Sequence, residues 1–372
     1  MRSPVPWTRV LARGLKRPLF GPRNRLARRT GRPTRRRRGA SCGAFRARCR
    51  WPLAKARSRR DAFGRVGVRD VYNAADRRAA VDAARRSLRS YDVLRRGALR
   101  EAELEKYVAA LTQRMPLAKT MDSKFHAFYV FTAVRRFMFL LDAQRRGRIA
   151  VSVLANSTLC LELHAVTELE TAPARGHALF SSWFLPHNAK QVYSDYLELD
   201  ADHNGMVSPA ELLRFRGARR GARLTPAFVG RVFAESVTYS NEASGEGEMD
   251  FKTYLDLALA FENVDATPAV RYFWRLLDVG EKGRIDAFAI AFFFRDVAAA
   301  IQDEGYDAPC VADVVDEIFD MVKPQNAAFI TVDDLLKCKV ARTVITMLVD
   351  VAGFLAYDNR EHLAHAPEDD DF

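Results

Sequence analysis

The chain has 372 residues, 48% of them hydrophobic, and a formal net charge of +13. That suffices for one or two packed domains, but the charge is uneven: residues 1–60 hold 21 Arg and Lys and no acid, leaving 38 basic against 46 acidic residues over 61–372, about −8. An acidic body argues against a nucleic-acid partner for the folded part, and no apolar run reaches the ~18–20 residues of a membrane span, so no membrane partner is expected either.

The first segment, 1–66, lacks hydrophobic periodicity and is broken by Pro and Gly. It buries too little apolar surface to offset its ordering entropy, so disorder is expected. Three readings stay open. The TRRRRG stretch around Arg35 to Arg38 suits a nuclear signal or polyanion patch. The Arg-rich, acid-free composition suits an organelle transit peptide, although serine is scarce. The third reading is an ill-chosen start in a GC-rich gene.

From Tyr91 onward the chain repeats itself. YDVLRRGALREAEL (Tyr91), LDAQRRGRIAVSVL (Leu141), LDADHNGMVSPAEL (Leu199) and LDVGEKGRIDAFAI (Leu277) share an apolar residue, Asp, four residues, Gly, any residue and an aliphatic residue. Each follows a helically spaced apolar stripe, such as Phe131, Val134, Met138 and Leu141, or Val192, Tyr196 and Leu199. Helix, twelve-residue loop, helix is the EF-hand unit, whose aliphatic eighth residue joins a short β-bridge between paired hands. Leu99, Ile149, Val207 and Ile285 fill that place. Two further segments, GEMDFKTYLDLALAFEN and AAFITVDDLLK, keep only the bridge residue (Met249, Ile330) and the outgoing helix. The pairings expected are the loop at Asp200 with Met249, the loop at Asp278 with Ile330, and the first two repeats with each other.

The fold expected is therefore all-α, an array of paired EF-hand-like helix-loop-helix units, mostly degenerate. Its divisions are a degenerate pair with helices over 67–180, the pair containing the loop 200–211 over 181–265, a degenerate pair over 266–360, and an acidic frayed tail over 361–372. FHAFYVFTAVRRFMFLL and AFAIAFFFRDVAAAI, interrupted by arginines, are expected to be buried amphipathic helices.

Calcium takes six to eight oxygens, supplied by loop positions 1, 3, 5, 7, 9 and 12. DADHNGMVSPAE provides Asp200, Asp202, Asn204, the Met206 carbonyl, Ser208 through water and bidentate Glu211, with Gly205 at the sharp turn. Ser208, Pro209 and Glu211 also spell a helix start with N-cap, N1 proline and capping glutamate. The other loops lack the chemistry. Gln144, Arg146 and Val153 follow Asp142; Gly280, Lys282 and Ala289 follow Asp278; and the Asp92 loop keeps Glu103 but carries Leu94 and Arg96. SNEASGEGEMD is acidic, yet its twelfth place is Thr253, so one calcium per chain is expected.

No Gly-rich phosphate loop, HExxH or GxSxG motif is present, and among the seven histidines only His362 and His365 stand near ligand spacing, on a solvated terminus. Cys160, in an apolar helix, is read as core. The five cysteines show no metal pairing or disulfide framework, which suits a reducing compartment. A binding module, not an enzyme, is expected, and a soluble, intracellular one.

The stretches SYDVLRRGALREAELEKYV, FYVFTAVRRFMFLLD, YLELDADHNGMVSPAELLRF, EMDFKTYLDLALAFEN, DEIFDMVKP and FLAYDNREHL together resemble the B″ regulatory subunits of protein phosphatase 2A, the gamma type and its plant TONNEAU/FASS relatives, over about 70–372. The resemblance implies a non-catalytic, calcium-binding adaptor that joins the phosphatase scaffold and catalytic subunits and directs them to substrates. It implies centrosomal, cortical-microtubule or nuclear sites of action, hence cytoplasm, cytoskeleton and nucleus, with centrosomal or microtubule-associated proteins as further partners. It also implies a helical region before the first repeat, whose place the Arg-rich head takes, and a tight segment where SNEASGEG stands. The alternative is a calcium-responsive cytoskeletal adaptor that works without the phosphatase. In the phosphatase reading calcium would set the angle between helices 187–199 and 209–216 and so tune assembly or partner choice, with a modest stabilising role expected over wholesale opening.

Overall fold

The computed structural model describes residues 68–174, 177–217, 221–240, 245 and 247–360. The expectations for the Arg-rich head, the acidic tail with His362 and His365, Cys42 and Cys49, and most of the SNEASGEG segment lie outside those residues. Within them the chain is helical, with six strands of two or three residues. None of its helices is long and apolar enough to cross a membrane.

The described chain divides into two compact units, one formed by the chain up to Leu99 with Ala150–Ala165, the other by Arg100–Ile149 and the chain from Val166 onward. In the first unit, helix Val68–Arg89 packs against helix Val151–Asn156. The Val151 N–H donates to the Gly97 carbonyl at 2.9 Å, tying the outgoing helix of the second repeat to the glycine of the first.

The second unit holds the pairs built on the loops at Asp200 and Asp278. Val207 and Met249 exchange backbone hydrogen bonds of 2.9 and 2.8 Å as an antiparallel bridge, and Ile285 pairs with Ile330 in the two-stranded sheet Ile285–Asp286 with Phe329–Ile330. The pairings expected for the loops at Asp200 and Asp278 are both present. The reason is visible in burial: Val207, Met249, Ile285 and Ile330 are all at most 3% exposed, so each of these bridges closes over apolar side chains. Around them lies one continuous core that runs from Phe139 to Phe354, with Phe228, Phe273, Phe293 and Phe294 completely buried. The helix Ala287–Asp303 turns Ile290, Phe293, Phe294, Val297 and Ile301 inward, the 3.6-residue stripe its sequence shows.

One expected element is much shorter. The helix expected over 209–216 is a single turn, Pro209–Leu212. Its continuation tightens into i→i+3 hydrogen bonds, Arg214 N–H to Glu211 O and Phe215 N–H to Leu212 O, and this rotation delivers Phe215 into the core at 3% exposure.

Two polar features join sequence-distant parts of this unit. Arg135, on helix Ser123–Leu141, meets Asp256, on helix Phe251–Glu262, with Nη2 at 2.6 and 2.7 Å from the two carboxylate oxygens. Asp350 accepts the Arg223 N–H at 2.7 Å and the Ala352 N–H at 3.1 Å, closing a bridge to Leu224 while capping helix Val351–Asp358. Burial raises the Asp350 carboxyl above its usual range, against the pull of those amide donors.

Both features yield measurable outcomes by urea denaturation. Arg135→Ala leaves the half-buried Asp256 carboxylate without its fork and is expected to cost about 2–4 kcal/mol, with Arg135→Lys recovering part of it. A raised folded pKa means the native state holds its proton longer than the unfolded chain does. The Asp350 contribution therefore falls as pH rises from the ordinary aspartate range through the raised value. Asp350→Asn keeps an acceptor for both amides and is expected to remove that part of the pH slope at little cost near pH 7, whereas Asp350→Ala loses about 1–3 kcal/mol.

Candidate metal centre

The loop Asp200–Glu211 begins where helix Pro186–Leu199 stops. Asp200 is its C-cap, with its N–H still bonded to the Tyr196 carbonyl but with ψ at 81°, outside the helix. His203 and Gly205 then take positive φ, 57° and 82°. The second value is one that a Cβ disfavours, which is why glycine stands at the sixth place. The Tyr196 hydroxyl donates to the Gly205 carbonyl at 2.8 Å, fastening the middle of the loop to the incoming helix. At the far end Ser208 and Glu211 form the expected capping box. The Ser208 hydroxyl accepts the Glu211 N–H at 3.3 Å, and Glu211 Oε2 accepts the Ser208 N–H at 2.9 Å.

This backbone gathers three carboxylates. One oxygen from each of Asp200, Asp202 and Glu211 lies within 4.8 Å of the others, the single such cluster of potential metal ligands among the described residues. Asn204 is held beside them, its Oδ1 accepting the Met206 N–H at 2.7 Å and its Nδ2 donating to Asp202 Oδ2 at 3.0 Å. Of the six positions expected to bind metal, Asp200, Asp202 and Glu211 converge as carboxylates. Asn204 and Ser208 join them through side-chain hydrogen bonds to Asp202 and Glu211, and Met206 lies in the same loop with its side chain buried.

A comparison among the four loops shows what distinguishes this one. All have positive φ at the fourth residue (Arg95, Arg145, His203, Glu281) and at the glycine of the sixth, and the Asp278 loop has it at Gly280 as well. In three of them the first aspartate is saturated from within. Asp92 accepts the Arg96 and Gly97 N–H groups at 2.9 and 2.6 Å, Asp142 those of Arg146 and Gly147 at 3.0 and 2.7 Å, and Asp278 those of Lys282 and Gly283 at 2.9 and 2.8 Å. In the fourth loop Asp200 Oδ2 accepts only the Gly205 N–H, at 2.9 Å. The fifth residue's N–H, on Asn204, goes to Asp202 Oδ1 instead, at 3.1 Å. Asp200 Oδ1 is left buried without a hydrogen-bond donor, on a side chain only 2% exposed.

A buried carboxylate oxygen with no donor is costly and fits a cation. Burial raises the Asp200 carboxyl, and the neighbouring Asp202 and Glu211 raise it further against the Gly205 amide. Burial also acts to raise Glu211, but hydrogen bonds from the Ser208 and Ala201 amides and the Ser208 hydroxyl outweigh it and leave that carboxyl lowered. Glu211 is therefore held ionised while Asp200 lacks a counter-charge. The donor set is all oxygen, which suits a hard divalent cation.

Two residues beside the loop escape a reading by position. Glu248, only 6% exposed, belongs to the paired segment that Thr253 disqualifies as a second site, yet both of its oxygens lie 3.2 Å from Asn204 Nδ2. The signal that points to it is its place next to the bridge residue Met249. Arg214 donates from Nη2 to the Leu199 carbonyl at 2.6 Å, linking the outgoing turn to the end of the incoming helix.

Comparison with known proteins adds the family. No family model matches the chain. It is 40% identical over 304 residues to the gamma-type B″ regulatory subunit of serine/threonine-protein phosphatase 2A from Xenopus tropicalis, covering 82% of this chain and 65% of the relative. The human protein of the same description is 39% identical over 304 residues, with 64% of its length covered. The Arabidopsis thaliana protein TON2, described as a probable B″ regulatory subunit of the same phosphatase, is 34% identical over 308 residues, 82% of this chain and 63% of the relative. The chain thus spans about 65% of the length of these relatives. A solved structure described as a PP2A PR70 holoenzyme superposes with a TM-score of 0.62 at 19% identity over 73% of this chain and 97% of that one, a likeness of fold. With a third or more of its residues shared over four-fifths of its length, the chain belongs to the B″ family of protein phosphatase 2A regulatory subunits.

Proposed function

We propose that this chain works without catalysis as a calcium-binding regulatory subunit that joins the scaffold and catalytic subunits of protein phosphatase 2A and directs them to substrates. Its sites of action would be cytoplasmic, cytoskeletal, centrosomal and nuclear. The assembly reading rests on the 40% identity over 304 residues with a gamma-type B″ relative. The calcium reading rests on the buried, donorless oxygen of Asp200 together with the convergence of the Asp200, Asp202 and Glu211 carboxylates.

Calcium, when bound, supplies the positive charge that this cluster lacks. Asp200, Asp202, Asn204, the Met206 carbonyl, Ser208 and Glu211 would hold it, and three carboxylates suit sensor-range affinity, roughly 10⁻⁷–10⁻⁵ M. The chain's own part is to keep the loop arranged beforehand. Glu211 is fixed by the Ser208 and Ala201 amides, at 2.9 and 2.8 Å, and the Val207–Met249 bridge joins the loop to a fully buried side chain. With the outgoing helix only one turn long and Arg214 fastened to Leu199, the hand has little lever arm. The ion's role is accordingly to stabilise this hand, and through it the surface offered to the other subunits, more than to swing it open.

Calorimetry of the full chain is expected to show one calcium per chain, weakened at least about tenfold in Glu211→Gln, which loses the charge at the twelfth position. No heat with the native sequence, or undiminished binding in the variant, removes the site. Calcium at one hundred times its Kd is expected to add ~2.7 kcal/mol of unfolding free energy over the chelated protein. For assembly, the chain is used to capture scaffold and catalytic subunits with calcium and with chelator. Recovery higher in calcium is expected; equal recovery removes calcium regulation, and no recovery in either removes the phosphatase reading.

A further inference from the structure

The calcium reading leaves a buried carboxylate of the paired hand to be explained. Glu248 stands on the strand Gly247–Glu248, which pairs with Tyr239–Ser240. Its neighbour Gly247 has no room for a side chain, since a Cβ there would come within 2.9 Å of the Thr238 hydroxyl. The next residue, Met249, makes the bridge to Val207. The Thr238 side chain against Gly247 on one side and the bridge on the other set the course of the backbone at Glu248. Glu248 stands opposite the fifth position of the Asp200 loop.

We propose that Glu248 is a positioning residue for the metal loop, acting through the amide of Asn204, a role that rests on the calcium reading of that loop. The Asn204 NH₂ lies between two carboxylates, 3.0 Å from Asp202 Oδ2 and 3.2 Å from both oxygens of Glu248. An amide has one donor end and one acceptor end. With the NH₂ committed to Asp202 and Glu248, Oδ1 faces the loop, where it accepts the Met206 N–H at 2.7 Å and retains a second lone pair. The reverse orientation would turn N–H groups toward a cation and the amide oxygen toward two carboxylates. Glu248 thus selects the amide orientation able to serve as a ligand. A hand without its own metal anchor still takes part in binding by orienting a ligand of its partner, as outer-shell groups do at other metal sites.

This predicts a reversal of sign. In the native background, Glu248→Gln replaces a pure acceptor with a group whose own amide competes for Asn204, and calcium affinity is expected to fall about three- to tenfold. Asn204→Asp gives the fifth position two equivalent oxygens, so nothing remains to orient, and Glu248 then adds a negative charge beside another carboxylate. In that background Glu248→Gln is expected to leave affinity unchanged or to raise it. Calcium titration calorimetry on the four full-length proteins, with each folded state checked by thermal unfolding in chelator, reads the cycle. An equal loss in both backgrounds would show a plain charge or packing effect and overturn the proposal. So would unchanged affinity in Glu248→Gln while the native chain binds calcium. Absence of binding by the native chain would instead remove the calcium site itself, and the role assigned to Glu248 with it.

Discussion

An aspartate that accepts backbone N–H groups across a six-residue turn is the constraint on which this array is built. It recurs at Asp92, Asp142, Asp200 and Asp278, each time bonded to the glycine amide at the sixth place. That bond stops the incoming helix, folds the loop back and delivers an aliphatic residue to the bridge. Wherever the fifth amide joins the sixth, the carboxylate has two donors of its own and the loop closes without any ion. Charge-assisted bonds of 2.6 to 3.0 Å to backbone amides do there what a cation does elsewhere.

Asp202 changes this arrangement at one place only. By taking the Asn204 amide for itself it deprives Asp200 of a donor and leaves an oxygen buried in search of charge. The third loop position thus acts twice in the calcium reading, as a ligand and as the group that keeps another ligand unsatisfied. Leu94, Gln144 and Gly280 occupy that position in the other loops, where both oxygens of the first aspartate are bonded to loop amides.

Much of this is legible in the residues alone, because the D-x-x-x-x-G frame and the aliphatic eighth place are local patterns with a local cause. The pairings of Val207 with Met249 and Ile285 with Ile330, the Ser208–Glu211 capping box and the family follow from them. What is not legible depends on distance along the chain. Arg135 and Asp256 are 121 residues apart and Arg223 and Asp350 127 apart, and no periodicity announces such partners. The outgoing helix after Pro209 is shorter than its residues suggest, since the pull of Phe215 into the core is a property of packing and outweighs helix propensity. Glu248 escapes a local reading for the same reason: its segment lacks a twelfth ligand of its own, while its side chain serves the neighbouring hand.

The internally saturated loops carry a consequence for the setting in which the protein works. Their first aspartates have both oxygens bonded to loop amides, so these loops hold their shape without calling on a divalent ion. Among the described residues the hand at Asp200 is the one with converging carboxylates, and in the calcium reading it is this hand that meets variation in such ions. In that reading the described architecture separates endurance from responsiveness: three loops close on their own amides, and the loop at Asp200 is left to register the ionic state of its surroundings.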